Sequence, residues 1–271
     1  MIKDIKPLYL ISNIRYNGKY KYFFDLTKHY KGILLSTKSI KCHNFTKFDF
    51  NILHGDMKSC NKILNLSKNF NCDAVITIHN PLLKIKNYKV DKFENVICLT
   101  NNCHKSLIHS TIMNNYVDMN KFKFNRYPNI NNPKFIASNT WNFKNFDYVK
   151  KKIPKCNELK NVHYKDMPKY LDDYDVVIIF SKTEYFPFLL LESLAMGKIV
   201  IVNSNLECSS LIEHGINGFK FDNLNYYGEI FDYDWKFISN NAFETASKYN
   251  MEDFFKKMNN YYRKILENNH E

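Results

Sequence analysis

No apolar run in the 271-residue sequence approaches the ~18 residues that cross a bilayer, so no helical membrane span is expected. The N-terminal MIKDIKPLYLISNIRYNG has an apolar stretch only about five residues long, followed by Asn and Arg, and reads as a first strand, not a signal peptide. No C-x-x-C pair occurs. The seven cysteines (Cys42, Cys60, Cys72, Cys98, Cys103, Cys156 and Cys208) are odd in number and scattered, which predicts free thiols in a reducing, cytoplasmic setting. Neither G-x-G-x-x-G nor a Walker pattern is present, which argues against dinucleotide oxidoreductases and P-loop NTPases. A G-x-S-x-G elbow is missing too. The histidines and cysteines form no ligand-spaced cluster. The one D-x-D match, Asp232-Tyr233-Asp234, lies outside the sheet-edge context such a pair needs, so neither a metal ion nor another cofactor is expected.

What is present suits a packed core: 45% of residues are hydrophobic and 16% aromatic. The formal net charge is +12, and it is unevenly placed. Residues 1–130 hold 21 Lys and Arg against 8 Asp and Glu, whereas residues 131–271 hold 18 against 19. All of the excess therefore sits in the first half, and such asymmetry suggests that this half meets a polyanion or an anionic surface.

Along the chain, short apolar runs alternate with segments of helical period. Strands are expected at Leu8–Ser12, Gly32–Ser36, Asn51–His54, Ala74–Ile78 and Asn95–Thr100. Helices are expected at Lys19–Tyr30, Met57–Phe70 and Leu107–Met113. After the turn-rich YPNINNP (Tyr127–Pro133) the alternation restarts. Strands are then expected at Lys134–Ser138 and Asn161–Tyr164, with helices at Asn145–Lys152 and Met167–Asp172. This order implies parallel βαβ units. The linker-like YPNINNP divides the chain into an N-terminal domain, 1–130, and a C-terminal domain with terminal helices, 131–271. The cleft between two such domains is the default site.

One stretch is exceptional: DVVIIF leads into SKTEYFPFLLLESLAMG (Ser181–Gly197) and out through KIVIVNS. A strand ends in a short polar loop carrying Glu184. An apolar helix follows, opened by Pro187 and closed at Gly197, as helix-terminus preferences favour. Within that helix sits a single carboxylate, Glu192. Burying a carboxylate without donors is expensive, so Glu192 is expected to face a ligand cleft. Glu184 lies at the carboxyl end of a strand, where open α/β sheets bind ligands. The helix N-terminus around Phe186–Leu190 suits a phosphate, and a carboxylate further along suits a ribose diol. His79, directly after a buried strand, could hydrogen-bond a sugar hydroxyl or stabilise developing charge.

This block resembles the donor-binding region of GT4-type glycosyltransferases (glycosyltransferase group 1) of the GT-B fold. The likeness rests on Ser181, Glu184, Phe186, Glu192, Gly197, Glu213, Gly215, Asn217 and Gly218, in the family's order and near its spacing. It implies an α/β protein of two Rossmann-like domains with parallel sheets facing across a cleft. Glu184 would contact the donor sugar, Glu192 the nucleotide ribose, and backbone around Phe186, Pro187 and Phe188 the diphosphate and sugar. His79 would line the reacting centre, and Gly18 would represent the family's glycine loop, reduced to one residue. Lys144 can take the diphosphate-binding lysine position, but Asn139 stands where the family has arginine. Tyr185 and Pro187 stand where glycines are common.

The resemblance implies transfer of a sugar from a nucleotide-sugar to an acceptor with retention, and the lack of a ligand-spaced cluster predicts that it proceeds without a metal. Because that fold binds its acceptor on the N-terminal half, the basic half suggests an anionic acceptor or a peripheral contact with an anionic membrane. Two alternatives stand beside this reading: a degenerate, non-catalytic GT-B binding module, and a glycosyltransferase that modifies nucleic acid.

Overall fold

The computed structural model describes residues 4–12, 18–38, 50–79, 88–105, 107, 109–139 and 142–268. Residues 13–17, which read as a polar loop ending at Gly18, and residues 80–87, with Asn80-Pro81 and most of a Lys-rich connection, lie outside the described residues. The chain forms two compact units, one built from residues up to 114 together with those from 252 onward, the other from residues 115–251.

The first unit is built on six parallel strands: β1 (Pro7–Ile11), β2 (Ile33–Ser36), β3 (Ile52–Asp56), β4 (Asp73–Ile78), β5 (Asn95–Cys98) and β6 (Ser110–Ile112), in the order β2-β1-β3-β4-β5-β6. PLYLI of β1 is buried throughout, as expected of a parallel strand covered on both faces. Helices α1 (Gly18–Tyr30), α2 (Cys60–Phe70) and α3 (Asn101–Lys105) follow β1, β3 and β5. Tyr22, Phe23 and Leu26 place one face of α1 in the core. α2 stops at Asn71, which turns left-handed at φ 49° and sends its amide back to the Ser67 carbonyl.

The second unit repeats the plan. Its elements are β7 (Phe135–Ser138), α4 (Phe146–Lys152), β8 (Asn157–Leu159), α5 (Met167–Asp172), β9 (Val176–Ile179), α6 (Phe188–Ala195), β10 (Ile199–Asn203), β11 (Phe219–Phe221) and α7 (Trp235–Ser247). All five strands are parallel, in the order β11-β10-β9-β7-β8. The core gathers Phe135, Ile178, Ile199, Phe219, Trp235 and Ile238. In each sheet the order reverses once, between β1 and β3 and between β7 and β9. Open α/β sheets bind ligands beyond the carboxyl ends of the strands at such reversals. Both sheets are Rossmann-like, as the sequence implied.

The final helix, α8 (Met251–Asn268), packs within the first unit from Glu252 onward. Its Phe254 meets the edge of Tyr22 at 5.6 Å between centroids, Phe255 stacks on His29 at 3.9 Å, and the Tyr262 hydroxyl lies 2.5 Å from His54 Nδ1.

Three details differ from the sequence reading. A helix was expected at Leu107–Met113; instead α3 ends at Lys105 and Ser110–Ile112 form β6, whose β-branched Thr111 and Ile112 pair with Ile97 and Cys98. The strand expected at Asn161–Tyr164 lies earlier, at Asn157–Leu159, because Asn161 adopts φ 57° and breaks the extended run. The sequence reading divides the chain at 130/131, whereas the compact units divide at 114/115. Residues 115–130 are held by the second unit: Arg126 donates to the Asp172 carbonyl and the Asp175 carboxylate, and the backbone of Val117 exchanges hydrogen bonds with Tyr249 and Met251. Asp175 is buried, which would raise its pKa. The amides of Lys134 and Asn129 and the Arg126 guanidinium outweigh that, holding it below the usual carboxylate range.

Among the described residues no helix is long and apolar enough to cross a membrane.

Candidate functional site

At the reversal between β7 and β9, two chain segments separated by forty positions are laced together. After β7 a single 3-10 turn, Asn142–Lys144, carries Lys144 forward. After β9 the Lys182 amide donates to the Phe143 carbonyl at 2.7 Å. The Lys144 ammonium then donates to Glu184 Oε2, with both side chains largely covered at 15% and 18% exposure. Ser181 Oγ lies 3.5 Å from the same oxygen. Cys208 senses the pair: burial and the Glu184 charge push its thiol up to about 12, with Lys144 opposing.

Beyond Glu184 the chain enters α6, FLLLESLA, in which every residue but Leu189 is buried. The structure shifts one sequence detail here: Pro187 occupies the cap, at φ −70° and ψ 140°, and the helix runs from Phe188. Proline loses nothing there, since the amides of a helix start have no intrahelical acceptor. Phe186 and Phe188 both turn their rings inward, each 8% exposed. Phe186 packs on Tyr249 at 5.4 Å and Phe188 meets the edge of Tyr116 at 5.5 Å. Glu192 sits in the middle of α6 at 4% exposure.

The far end of α6 is fixed by Gly197 at φ 63°. Its amide donates to Leu194 and that of Lys198 to Ser193, the double bond of a Schellman-type stop. A Cβ at Gly197 would fall 2.5 Å from Phe124 Cε2, so the position requires glycine for space as well as for torsion.

His79 and Gly18 belong to the first unit. His79 directly follows β4 at its carboxyl edge, half-buried, with its ring against the edges of Tyr22 (4.8 Å) and Phe23 (5.7 Å). Beneath it His54 is fully buried, its Nε2 2.6 Å from Thr77 Oγ1 and its Nδ1 2.5 Å from the Tyr262 hydroxyl. Burial, and then the neighbouring His79, hold the His54 pKa well below the ordinary range, so this imidazole is neutral. Gly18 is the first residue of α1. The structure thus joins Lys144, Glu184, Phe186, Pro187, Phe188 and Glu192 in one unit and places His79 and Gly18 in the other.

Two residues escaped the sequence reading. Asp56, at the carboxyl end of β3 and 2% exposed, accepts from the Ser12 amide (3.1 Å), the Ser12 hydroxyl (2.8 Å) and the Ser59 hydroxyl, and so ties the end of β1 at the first sheet's reversal. An acid at the carboxyl end of a buried strand was the signal, as it was for Glu184. Asn115, 5% exposed, donates from Nδ2 to the Phe186 carbonyl at 2.5 Å. Seventy-one positions separate the two, and no local pattern announces the contact.

Residues 143–227 match the family of glycosyl transferases group 1. This group 1 region starts at Phe143 and contains Lys144, Ser181, Glu184, α6 and Gly197. Solved structures extend the likeness to the fold of nearly the whole chain. HepE of Anabaena, crystallised with UDP-glucose, superposes with a TM-score of 0.74 at 15% identity, covering 94% of this chain and 98% of that one. A glycosyltransferase of Rickettsia africae gives 0.73 at 16%, covering 98% and 100%. Sucrose-phosphate synthase of Thermosynechococcus elongatus gives 0.77 at 12%, covering 96% and 99%. The fold is that of the GT-B glycosyltransferases. No curated protein sequence matches the chain significantly. Among the described residues no three His, Cys, Asp or Glu side chains lie close enough together to hold a metal ion.

Proposed function

We propose that the protein transfers a sugar from a nucleoside diphosphate sugar to an acceptor, with retention of anomeric configuration and without a metal ion. The observation that carries this reading is the Lys144–Glu184 ion pair at the β7/β9 reversal, immediately ahead of α6. An arriving diphosphate would compete with Glu184 for Lys144, leaving the carboxylate to accept from sugar hydroxyls. The N-terminus of α6 adds its dipole and the amides of its first turn to the developing negative charge on the leaving group. Glu192 is assigned to the ribose. His79 is assigned to the sugar near the reacting carbon. No side chain is assigned as a nucleophile; the catalytic effect comes from positioning and from fixed charges. Crystals of HepE with UDP and with UDP-glucose support a uridine diphosphate donor.

The acceptor is proposed to be anionic, or to lie on an anionic membrane reached peripherally from the cytoplasm, because residues 1–130 carry the whole positive excess. Flotation with liposomes that contain or lack anionic lipid tests this, and equal recovery with both would refute it.

A second reading, a binding module without turnover, has one observation in its favour. Asn139, where the family has arginine, is already committed to Glu158 Oε1 at 2.6 Å. A thermal-shift panel of UDP, GDP, CDP and ADP, followed by assay of free nucleotide released from the matching nucleotide-sugars in EDTA, separates the readings. Binding with release supports the transferase, binding without release supports the module, and binding of none refutes both.

A further inference from the structure

The loop that leads into α6 is anchored from below by the stretch Asn115–Val117. Asn115 is almost wholly buried and points its amide nitrogen at the Phe186 carbonyl, 2.5 Å away. Because a carbonyl oxygen only accepts, the nitrogen must face it; the opposite orientation would set two acceptors against each other. Its neighbour Tyr116, fully buried, meets the Phe188 ring edge-on at 81°. Val117 donates to the Tyr249 carbonyl at 2.9 Å and accepts from the Met251 amide at 3.0 Å, pairing the two segments at Val117 and Asn250. Tyr249 in turn packs on Phe186. Asn115 thus acts on the loop from a backbone segment that is itself held in place. Its neighbour Asn114 is bound within the other unit, to the Leu99 carbonyl at 2.6 Å.

The geometry points to Asn115 as a positioning residue for the donor diphosphate. This rests on the reading of the preceding subsection, in which backbone from Phe186 to Phe188 receives the diphosphate and sugar. Phe186 precedes a proline that has no amide of its own. Fixing the Phe186 carbonyl therefore sets the Phe186–Pro187 peptide plane, and the extended Pro187 torsions carry that orientation to the first amides of α6. Asn115 acts through Phe186, and the ribose, held further along α6 at Glu192, is not affected. The residue consequently governs affinity for the phosphates and leaves affinity for the nucleoside unchanged.

Asn115→Asp keeps the shape but turns a donor into an acceptor that repels the carbonyl; Asn115→Ser shortens the side chain and loses the direct bond. Binding of UDP and of uridine to wild type and to both variants is measured by calorimetry, with circular dichroism confirming the fold. The expected result is a rise of about tenfold or more in Kd for UDP, one lost interaction of hydrogen-bond size, with the Kd for uridine moved by less than about twofold. In Asn115→Asp the UDP affinity should recover as pH falls and the carboxyl gains a proton it can donate. The wild type should show no such recovery. Equal losses for UDP and uridine, no loss for either, or failure of both variants to fold would overturn the assignment. A wild type that binds none of UDP, GDP, CDP and ADP would instead refute the donor site itself.

Discussion

Replacing Lys198 with methionine should make the protein more stable at neutral pH, although it removes an ion pair. Lys198 lies between the end of α6 and β10, with 1% of its side chain exposed, and its ammonium is 3.6 Å from Asp172 Oδ1 and 3.3 Å from the Asp172 carbonyl. Burial, followed by the Arg126 charge, pushes its pKa down from 10.5 to about 8, more than Asp172 and Asp175 restore. A depression of that size corresponds to about 3 kcal/mol of cost in holding the charged form in the native state. Methionine has a similar volume and no charge to desolvate. Asp172 is 41% exposed and can turn to water, and Asp175 keeps Arg126, so neither partner is stranded. The expected gain at pH 7 is ~1–3 kcal/mol.

The sign of the pH dependence follows from the depressed pKa. Below about pH 8 both folded and unfolded Lys198 are protonated and the full cost applies. Between about 8 and 10.5 the unfolded lysine binds more proton than the folded one, so the wild type gains on the variant as pH rises. The advantage of the methionine should therefore shrink from pH 8 upward and be nearly gone by pH 10.5. Urea titrations at several pH values, read by tryptophan fluorescence, suit the test because Trp235 is buried in the same unit as Lys198. A variant less stable than wild type at pH 7, or a difference that does not change with pH, would refute the reasoning.

Gly197→Ala should destabilise by ~2–5 kcal/mol, combining left-handed torsion with a Cβ driven into the Phe124 ring, and a fall of several degrees in Tm would register it. Lys144→Met and Glu184→Gln should separate: the first weakens UDP about tenfold or more, while the second frees Lys144 from its competitor, so UDP binding holds or tightens while turnover of the nucleotide-sugar falls. Equal effects on UDP affinity would contradict the division of roles. Burial pushes the thiols of Cys60 and Cys156, like that of Cys208, up to about 12, so all three should resist alkylation at pH 8 in the native protein and react after unfolding, as peptide mapping would show.

The parallel architecture was legible because central strands such as PLYLI, VVII and IVIV write themselves as apolar runs, and helices such as α1 and α8 as a 3.6-residue period. Glu184, Pro187, Glu192 and Gly197 were legible for a related reason: they fall within one contiguous strand–loop–helix whose local chemistry makes the carboxylates conspicuous. What joins distant segments was not. Lys144 came from family likeness, and only the fold shows its bond to Glu184. The links from Asn115 to Phe186 and from His54 to Tyr262 are set by tertiary packing alone. The misread helix at Leu107–Met113 shows the same limit at short range, since a three-residue edge strand carries too few residues for period 2 to be told from period 3.6.

The first unit is discontinuous, and this orders its assembly. During synthesis residues 115–251 emerge as one stretch and contain every strand of their own sheet. The strands of the other sheet are made earlier, yet its core is complete only with α8, which brings Phe254, Phe255 and the Tyr262 hydroxyl that completes the bonding of His54. Until then a neutral imidazole in that core lacks one of its two partners. The unit that is second in the sequence is thus the first able to close, and the wall beneath His79 is finished last.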